Sequence, residues 1–255
     1  MEKELGHLEN LCAPVVRQVN STRTLPSHDS LGPLLDFVAM IACRTPMFRH
    51  NSVSMVNHFG KLRVRQEVER EGFRTVLRRI SDGREPTEEE LAKFTRFIQE
   101  GEYTVRPDQN SLVEMFAVSV PSVRFGLSDR HWSLLEATPD APDFICGDHP
   151  AVLFINGGGP KGFVPGFRTP GTWLMMPLGR RVSLIGSLDG KHVRGPAPAQ
   201  LVALVNTLMI DYSERFLFAS GEEFCWLRQD HTVVKTAELV AEFGRQRAEI
   251  SSRKT

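Results

Sequence analysis

The feature that most constrains this chain is a change in the spacing of its apolar residues near Ser128. Before that point apolar residues recur every three or four positions, a pattern typical of amphipathic helices. After it, short and partly alternating apolar segments are separated by Gly, Pro and Asp, which predicts strands connected by turns. We therefore predict an α+β fold, with an N-terminal helical layer packed on a mixed, mainly antiparallel sheet formed by the C-terminal half.

The length of 255 residues suits a single domain that encloses one core. We predict one α+β domain over residues 1–255, with a mainly helical half at 1–128 and mainly strands with one helix at 129–230. The amphipathic pattern of the tail predicts a C-terminal helix within 231–255. The sequence shows no internal repeat and no low-complexity segment.

Local signals set several helix boundaries. Thr87 followed by Glu90 has the spacing of a capping box, so a helix is expected to begin there. Pro46 predicts a kink within a long helix, and Pro121 predicts a bend or an end in the helix that contains it. The apolar spacing over Ala199–Tyr212 predicts one further helix within the strand-rich half.

The charge balance and the cysteines limit which cellular compartment and which binding partners are expected. The 31 basic and 31 acidic residues cancel, so no global field steers the chain toward nucleic acid or an anionic membrane. The four cysteines are far apart and form no zinc-binding spacing, which favours buried reduced thiols. The start of the chain lacks an apolar signal-peptide core, and no apolar run approaches the roughly 20 residues of a membrane span. We therefore expect a soluble, cytoplasmic protein without a membrane span.

Three short motifs occur in an informative order. They are Arg44-Thr45-Pro46 at the end of an apolar helix, a Trp132 strand followed by Asp148-His149-Pro150, and Met176-Pro177-Leu178 followed by the Asn206 helix. This order resembles the mostly bacterial family catalogued as domain of unknown function 4238, over about residues 8 to 230. The resemblance implies a fold and the positions of these motifs, but no reaction.

Two features depart from the family pattern. Members usually begin with a β-rich segment that carries a His-Tyr-x-Pro motif, and nothing before Leu8 supplies it, so we expect an N-terminally shortened chain. The turn reads Gly147-Asp148-His149-Pro150, with Gly in place of the usual hydroxyl residue and His in place of what is often Asn. A chain without this segment would have an incomplete sheet and would lack any activity that the segment carries.

Asp148 and His149 are the candidate catalytic residues. An apolar segment ends at this turn, and ligands in mixed sheets commonly bind just beyond strand ends. An aspartate there suits a metal ligand or a general base, and an adjacent histidine suits proton transfer near neutral pH. The same residues also fit a structural turn, in which the Asp148 side chain accepts the following backbone amides and Pro150 sets the entry to the next strand.

Arg44 and Asn206 are the candidate binding residues. Arg44 follows the apolar residues Ala42 and Cys43, so its guanidinium is expected to be partly buried and to need a carboxylate or carbonyl partner. We predict an ion pair with Asp148, an arrangement that could also hold an anionic substrate. Asn206 lies within the apolar helix of the strand-rich half.

The segment from Lys61 to Ile80 contains seven basic and three acidic residues, which fits a local face for nucleic acid or phosphate. The interleaved glutamates favour another interpretation, an ordinary helix with intrahelical ion pairs. Nearby, His50 and His58 lie two helical turns apart, too far to share one metal ion, and predict a solvated polar face.

The glycine-rich segment 156–171 invites comparison with phosphate-binding loops. Phe163 stands where a Walker A motif requires Lys, and no helix is predicted to open after the segment, so both nucleotide-binding fingerprints fail. We predict a flexible excursion that could lie as a lid over the Asp148 turn.

These observations support two functions of different classes. The first is a ligand- or partner-binding domain without chemistry of its own, in which Arg44, Asp148 and Asn206 are buried polar scaffolding. The second is a metal-assisted hydrolase of a phosphoester or nucleic acid centred on Asp148 and His149, with the basic helix docking the substrate. An enzyme would place a further carboxylate or histidine within reach of Asp148, whereas scaffolding would close Asp148 with Arg44 and backbone amides. The sequence identifies no metal site, cofactor or specific partner.

Overall fold

The computed structural model describes residues 2–155, 158, 165–190, 195–228 and 230–239, with only the backbone described at 2–5, 7, 8 and 28–30. The described chain forms two compact units, Met1–Met47 with Ala117–Thr255, called here the sheet unit, and Phe48–Phe116, called the helical unit. Half of the glycine-rich excursion and most of the predicted C-terminal helix lie outside the described residues.

Helices fill the first half of the chain and strands fill most of the second, which confirms the α+β class. The helices are α1 (Glu2–Thr22), α2 (His28–Cys43), α3 (Pro46–Glu71), α4 (Phe73–Ile80), α5 (Glu88–Glu100), α6 (Gln109–Ser128) and α7 (Ala199–Tyr212). The strands are β1 (His131–Ala137), β2 (Cys146–Gly147), β3 (Val152–Ile155), β4 (Thr172–Gly179), β5 (Val182–Ser187), β6 (Gly195–Ala197), β7 (Leu217–Phe218), β8 (Cys225–Leu227) and β9 (Val233–Lys235).

The central sheet has five strands in the order β3-β4-β5-β1-β6. Its pairs are antiparallel except for β1 and β6, which run parallel with Glu136 opposite Pro196. This sheet is therefore mixed and mainly antiparallel, as predicted. Two further pairs, β2 with β7 and β8 with β9, are antiparallel and separate from it.

Helix α7 is buried on two sides, which explains why its sequence is apolar almost all round. Val202 and Val205 pack against residues of the central sheet such as Leu135 and Ile185. On another side, Met209 packs in a second cluster with Ile145, Val152 and Trp226, and α7 contacts β8. The helix thus joins the central sheet to the short strands that follow it in sequence.

Helices α1 and α2 pack on each other, and α1 also contacts the sheet. The buried residues of α2 include Leu34, Val38 and Met40. The Asn20 side chain donates a hydrogen bond to the carbonyl of Leu178 on β4 at 2.8 Å. An N-terminal helix therefore lies on the sheet, as the sequence predicts.

The helical unit is built from parts of α3 and α6 and from α4 and α5. Thr87 caps α5 through the predicted capping box, since its hydroxyl accepts the Glu90 N–H at 3.3 Å and the Glu90 carboxylate accepts the Thr87 N–H at 2.9 Å. Val68, Val76 and Ile98 supply buried apolar side chains.

Several boundaries differ from the sequence prediction. Helix α6 continues through Pro121 to Ser128, and a break at Arg44 and Thr45 separates α2 from α3 instead of a kink within one helix. The three-residue strands β6 and β9 were not predicted, because segments so short show too little alternation. Strand β9 occupies the position where the C-terminal helix was expected to begin.

Within the described residues, no single helix has both the length and the apolar character needed to cross a membrane. The bent pair Leu31–Cys43 and Pro46–Glu71 meets these two criteria jointly, by length and composition alone.

Candidate functional site

The Asp148 turn is closed by backbone amides of a distant segment. The Asp148 carboxylate accepts the N–H of Glu214 through Oδ1 at 3.0 Å and the N–H of Arg215 through Oδ2 at 2.9 Å. The Asp148 N–H in turn donates to the carbonyl of Phe216 at 3.1 Å. The carboxylate thus fastens the segment after α7 to the end of β2. The prediction of a structural turn expected Asp148 to accept the backbone amides that directly follow it. In the structure the amides belong instead to Glu214 and Arg215, after α7.

The close approach of these two segments depends on Gly147. A Cβ atom at this position would overlap the hydroxyl of Ser213 and meet the carbonyl of Met209 at 3.2 Å. The Ser213 hydroxyl itself donates to that carbonyl at 2.5 Å. Glycine in the place of the usual hydroxyl residue is therefore required by the packing of β2 on the end of α7.

His149 is enclosed, with 9% of its surface exposed. Its ring centroid lies 5.8 Å from that of Tyr212, and its Nδ1 forms no hydrogen bond within the described part of the chain. Burial lowers the pKa of His149, and the Ala151 backbone and the charges of Asp148 and Glu214 offset only part of this effect. The imidazole is therefore neutral at pH 7. A neutral, enclosed ring suits packing more than proton exchange with solvent.

Asn206 is fully buried and links three segments of the backbone. Its Oδ1 accepts the Ile145 N–H at 2.9 Å, and its Nδ2 donates to the carbonyls of Asp143 at 3.1 Å and Cys225 at 2.8 Å. All three bonds satisfy backbone groups that would otherwise lie unpaired beside α7. The contacts of Asn206 are thus those of buried polar scaffolding.

The predicted ion pair between Arg44 and Asp148 is wrong. Arg44 Nη1 lies 2.9 Å from Glu9 Oε1, and 44% of the Arg44 side chain is exposed. Helix α2 ends at Cys43, so Arg44 turns outward while Ala42 and Cys43 stay in the core. Arg44 and Asp148 are not brought together.

Five of the six arginines in the basic segment bind carboxylates. Arg79 contacts Glu67 and Glu71 at 2.8 Å each, which joins α4 to the end of α3. Further pairs are Arg63 with Glu67, Arg70 with Glu71, Arg74 with Glu85 and Glu88, and Arg78 with Glu85. Because these guanidinium groups already have anionic partners, the structure favours ion-paired helices over a nucleic-acid face. Among these pairs, only Arg63 with Glu67 and Arg70 with Glu71 lie within one helix, so the predicted intrahelical pairing holds for two of them.

A cleft of about 610 Å³ opens where β1 and β6 run parallel. Its lining includes Glu136 of β1, Pro139 just after β1, Pro196 of β6, Arg23 after α1, and Arg181 between β4 and β5. The cleft lies beside the carboxyl end of β1 and the first residues of β6, at the edge of the central sheet. Sequence analysis missed it because its residues come from four segments and share no motif.

Arg181 fixes the wall of this cleft. Its Nη1 donates to the carbonyl of Ala141 at 2.8 Å and to the Asp143 carboxylate at 3.0 Å. Its Nη2 donates to the carbonyls of Ala137 and Thr138. Since these four bonds occupy both terminal nitrogens, Arg181 supports the loop after β1 and has little capacity left for a ligand.

Arg23 has more N–H groups available to a ligand than Arg181 has. Its Nε lies 3.8 Å from Oε1 of Glu136, which is longer than a hydrogen bond. Its backbone has a φ of 58°, in the left-handed region, which costs a residue other than glycine about 1 kcal/mol. This conformation follows the end of α1, where the Arg23 N–H donates to the carbonyl of Val19 at 3.0 Å. The guanidinium of Arg23 and the carboxylate of Glu136 thus form a long ion pair on the cleft wall, with no hydrogen bond between them.

Arg130 is a second arginine that sequence analysis missed, buried with 5% of its surface exposed. Its Nη1 donates to the carbonyls of Thr172 at 3.0 Å and Gly186 at 3.1 Å, and its Nη2 donates to the carbonyl of Phe167 at 2.7 Å and the Thr172 hydroxyl at 2.8 Å. Burial lowers the pKa of Arg130 to about 10, so it remains charged at neutral pH. Arg130 therefore fastens the loop before β4 to the ends of β4 and β5.

Within the described residues, no three His, Cys, Asp or Glu side chains come together in an arrangement that could hold a metal ion.

The comparisons with known proteins place the chain in one family. No curated protein and no solved structure matches the sequence. A family model described as a protein of unknown function, DUF4238, matches residues 1–223. Since this match covers most of the chain, the protein belongs to the DUF4238 family.

Proposed function

We propose that this protein is a ligand- or partner-binding domain that carries out no chemistry at Asp148 and His149. The observation that carries the proposal is the position of the Asp148 carboxylate, both oxygens of which accept backbone N–H groups of Glu214 and Arg215. A carboxylate bonded in this way holds two distant segments of the chain together. It has fewer lone pairs free for a metal ion or a substrate proton than an open carboxylate.

The surroundings of Asp148 support the same proposal. His149 is held neutral by burial, and Arg44 pairs with Glu9 away from the turn. The alternative, a metal-assisted hydrolase centred on Asp148 and His149, would have to use the carboxylate lone pairs that the two amide N–H groups leave free. The observed contacts therefore favour binding over hydrolysis.

The test separates stability from binding and from hydrolysis. Wild type, Asp148→Asn and the exposed control Asp189→Asn are melted alone and with divalent metals, nucleotides and short oligonucleotides. We expect Asp148→Asn to lose about 1 kcal/mol of stability because an amide cannot accept both N–H groups. Any ligand that stabilises the wild type is expected to stabilise both variants equally.

Two results would contradict the proposal. One is a ligand shift that is lost in Asp148→Asn and retained in Asp189→Asn. The other is hydrolysis of p-nitrophenyl phosphate or of an oligonucleotide by the wild type, with the rate abolished in Asp148→Asn alone. Either result would support the hydrolase.

We also propose that the protein works in the bacterial cytoplasm, which its free thiols support. All four cysteines are unpaired, and burial raises the pKa of Cys43 to about 12 and of Cys225 to about 11. Protonated, buried thiols suit a reducing compartment. Maleimide labelling of denatured protein taken from cells should modify all four; disulfide-linked forms would contradict this location.

We further propose that the two compact units unfold together as a single domain. Helices α3 and α6 both run from one unit into the other, so the two units share two continuous helices. A single cooperative transition, seen alike by far-UV circular dichroism and by tryptophan fluorescence, is expected. Two separate transitions would show two domains.

A further inference from the structure

We propose that the cleft beside β1 and β6 binds a small zwitterion of the α-amino acid class that carries an apolar side chain. Its carboxylate would bind Arg23, its ammonium group would bind Glu136, and its side chain would contact the apolar lining. This inference rests on the proposed binding function and names the site and the chemical class of the ligand.

The size and position of the cleft support a small-molecule site. Its volume of about 610 Å³ lies within the range of roughly 300–1,000 Å³ that is typical of ligand pockets. It lies beside the carboxyl end of β1 and the start of β6, and Arg181 holds the loop after β1 in place through four hydrogen bonds. A site supported in this way needs little rearrangement when a ligand enters.

The charges of the cleft set the class of ligand. Arg23 and Glu136 are both partly exposed, at 32% and 54% of their side chains, and their nearest charged atoms are 3.8 Å apart. A guanidinium recognises a carboxylate through two parallel hydrogen bonds, and a carboxylate accepts the N–H groups of an ammonium ion. A simple anion would be repelled by Glu136 and a simple cation by Arg23, whereas a zwitterion satisfies both.

The remaining lining is suited to a hydrocarbon group. Leu134, Pro139 and Pro196 contribute apolar surface to the cleft. Burying a branched side chain against such surface is favourable because it removes apolar area from water. Leucine, methionine and phenylalanine are therefore better probes than serine or aspartate.

The backbone of Arg23 provides a clean variant. Glycine adopts a φ of 58° without the penalty that arginine carries, so Arg23→Gly removes the guanidinium and retains the local fold. Arg17, exposed on α1, the helix that Arg23 follows, gives the control Arg17→Gly, although glycine at this mid-helix position lowers stability somewhat. Glu136→Gln removes the charge that selects the ammonium group and keeps the size of the side chain.

The experiment measures binding of three probes to the full chain by titration calorimetry. The probes are leucine, 4-methylpentanoate, which lacks the ammonium group, and 3-methylbutylamine, which lacks the carboxylate. We expect wild type and Arg17→Gly to bind leucine at least about tenfold more tightly than either analogue. Arg23→Gly should lose leucine binding, and Glu136→Gln should bind 4-methylpentanoate at least as well as leucine.

Three outcomes would overturn the inference: no binding of leucine, methionine or phenylalanine; equal binding of leucine and both analogues; or leucine binding unchanged in Arg23→Gly. These outcomes leave the proposed binding function standing if another ligand still stabilises wild type and Asp148→Asn equally. Failure of the binding function itself would appear as hydrolysis lost in Asp148→Asn, which the amino-acid titrations do not measure.

Discussion

The two compact units differ in what some of their arginines bind, although both units also contain arginine–carboxylate pairs at the surface. In the helical unit, guanidinium groups such as that of Arg79 bind glutamate side chains at the surface. In the sheet unit, Arg130 and Arg181 bind backbone carbonyls at the ends of strands and in the loops between them. When an exposed ion pair is broken, both side chains can bind water instead. When Arg130 or Arg181 is removed, the backbone carbonyls that it binds have few other hydrogen-bond donors within reach.

This difference indicates where substitutions are costly. Exposed ion pairs contribute little because water and salt replace them. A buried side chain that satisfies several backbone groups leaves each of them unpaired when it is removed, at a cost of about 1–3 kcal/mol for each group. The sheet unit should therefore be sensitive at a few polar positions, and the helical unit should tolerate changes to its arginines.

The largest effect is expected from Arg130→Met. Methionine fills the space of the side chain but leaves the carbonyls of Phe167, Thr172 and Gly186 without their donor, at a cost of about 3 kcal/mol. Urea denaturation measures the free energy of unfolding, with the exposed Arg96→Met as control. A loss below about 1 kcal/mol would show that those carbonyls find other donors.

Asn206→Leu should rank second. Leucine has a similar size, but the Ile145 N–H and the carbonyls of Asp143 and Cys225 lose their partner, so we expect a loss of about 2 kcal/mol. Gln200→Leu, exposed on the same helix, is the matched control. If both variants unfold at the same urea concentration, the Asn206 bonds do not contribute to the stability of the fold.

His149 should give a smaller effect that depends on pH. Burial lowers its pKa in the folded state below the value of about 6.5 expected for the unfolded chain. The unfolded state therefore binds the proton first, so the contribution of His149 is fully present above about pH 6.5 and is lost as the pH falls through the lower folded pKa. We therefore expect the wild type to lose stability relative to His149→Gln as the pH is lowered. A difference that is constant between pH 7.5 and 5 would contradict burial of a neutral ring.

The smallest effect is expected from Arg79→Ala. This variant removes two exposed contacts, with Glu67 and Glu71, that solvent screens. Its melting temperature should lie slightly below that of the wild type at low ionic strength and should approach it at about 1 M salt. A large, salt-independent loss would place Arg79 with the arginines of the sheet unit.

The sequence predicts those features that depend on neighbouring residues. The capping box of Thr87 and Glu90 and the bounds of α7 are confirmed because each is set by residues within a few positions of each other. Pro121 does not end α6, which continues through it. Local spacing also predicts the order of helices before strands, which was sufficient for the fold class.

The partners of buried polar groups could not be predicted in the same way. Asp148 bonds residues more than sixty positions away, and Arg44 pairs with Glu9 rather than with the carboxylate that the motifs suggest. The cleft at Arg23 and Glu136 is likewise formed by segments that only the fold brings together. Prediction of these contacts needs the topology, because nothing in the spacing of residues along the chain encodes them.

Gly147 has a consequence for how sequences of this family should vary. The space that a side chain at 147 would occupy is filled by the hydroxyl of Ser213, at the end of α7. The two positions should therefore change together over evolution, with any residue larger than glycine at 147 accompanied by a smaller residue, such as Gly, at 213. A substitution at one of these positions can thus be tolerated when the other position changes in the direction that restores the space.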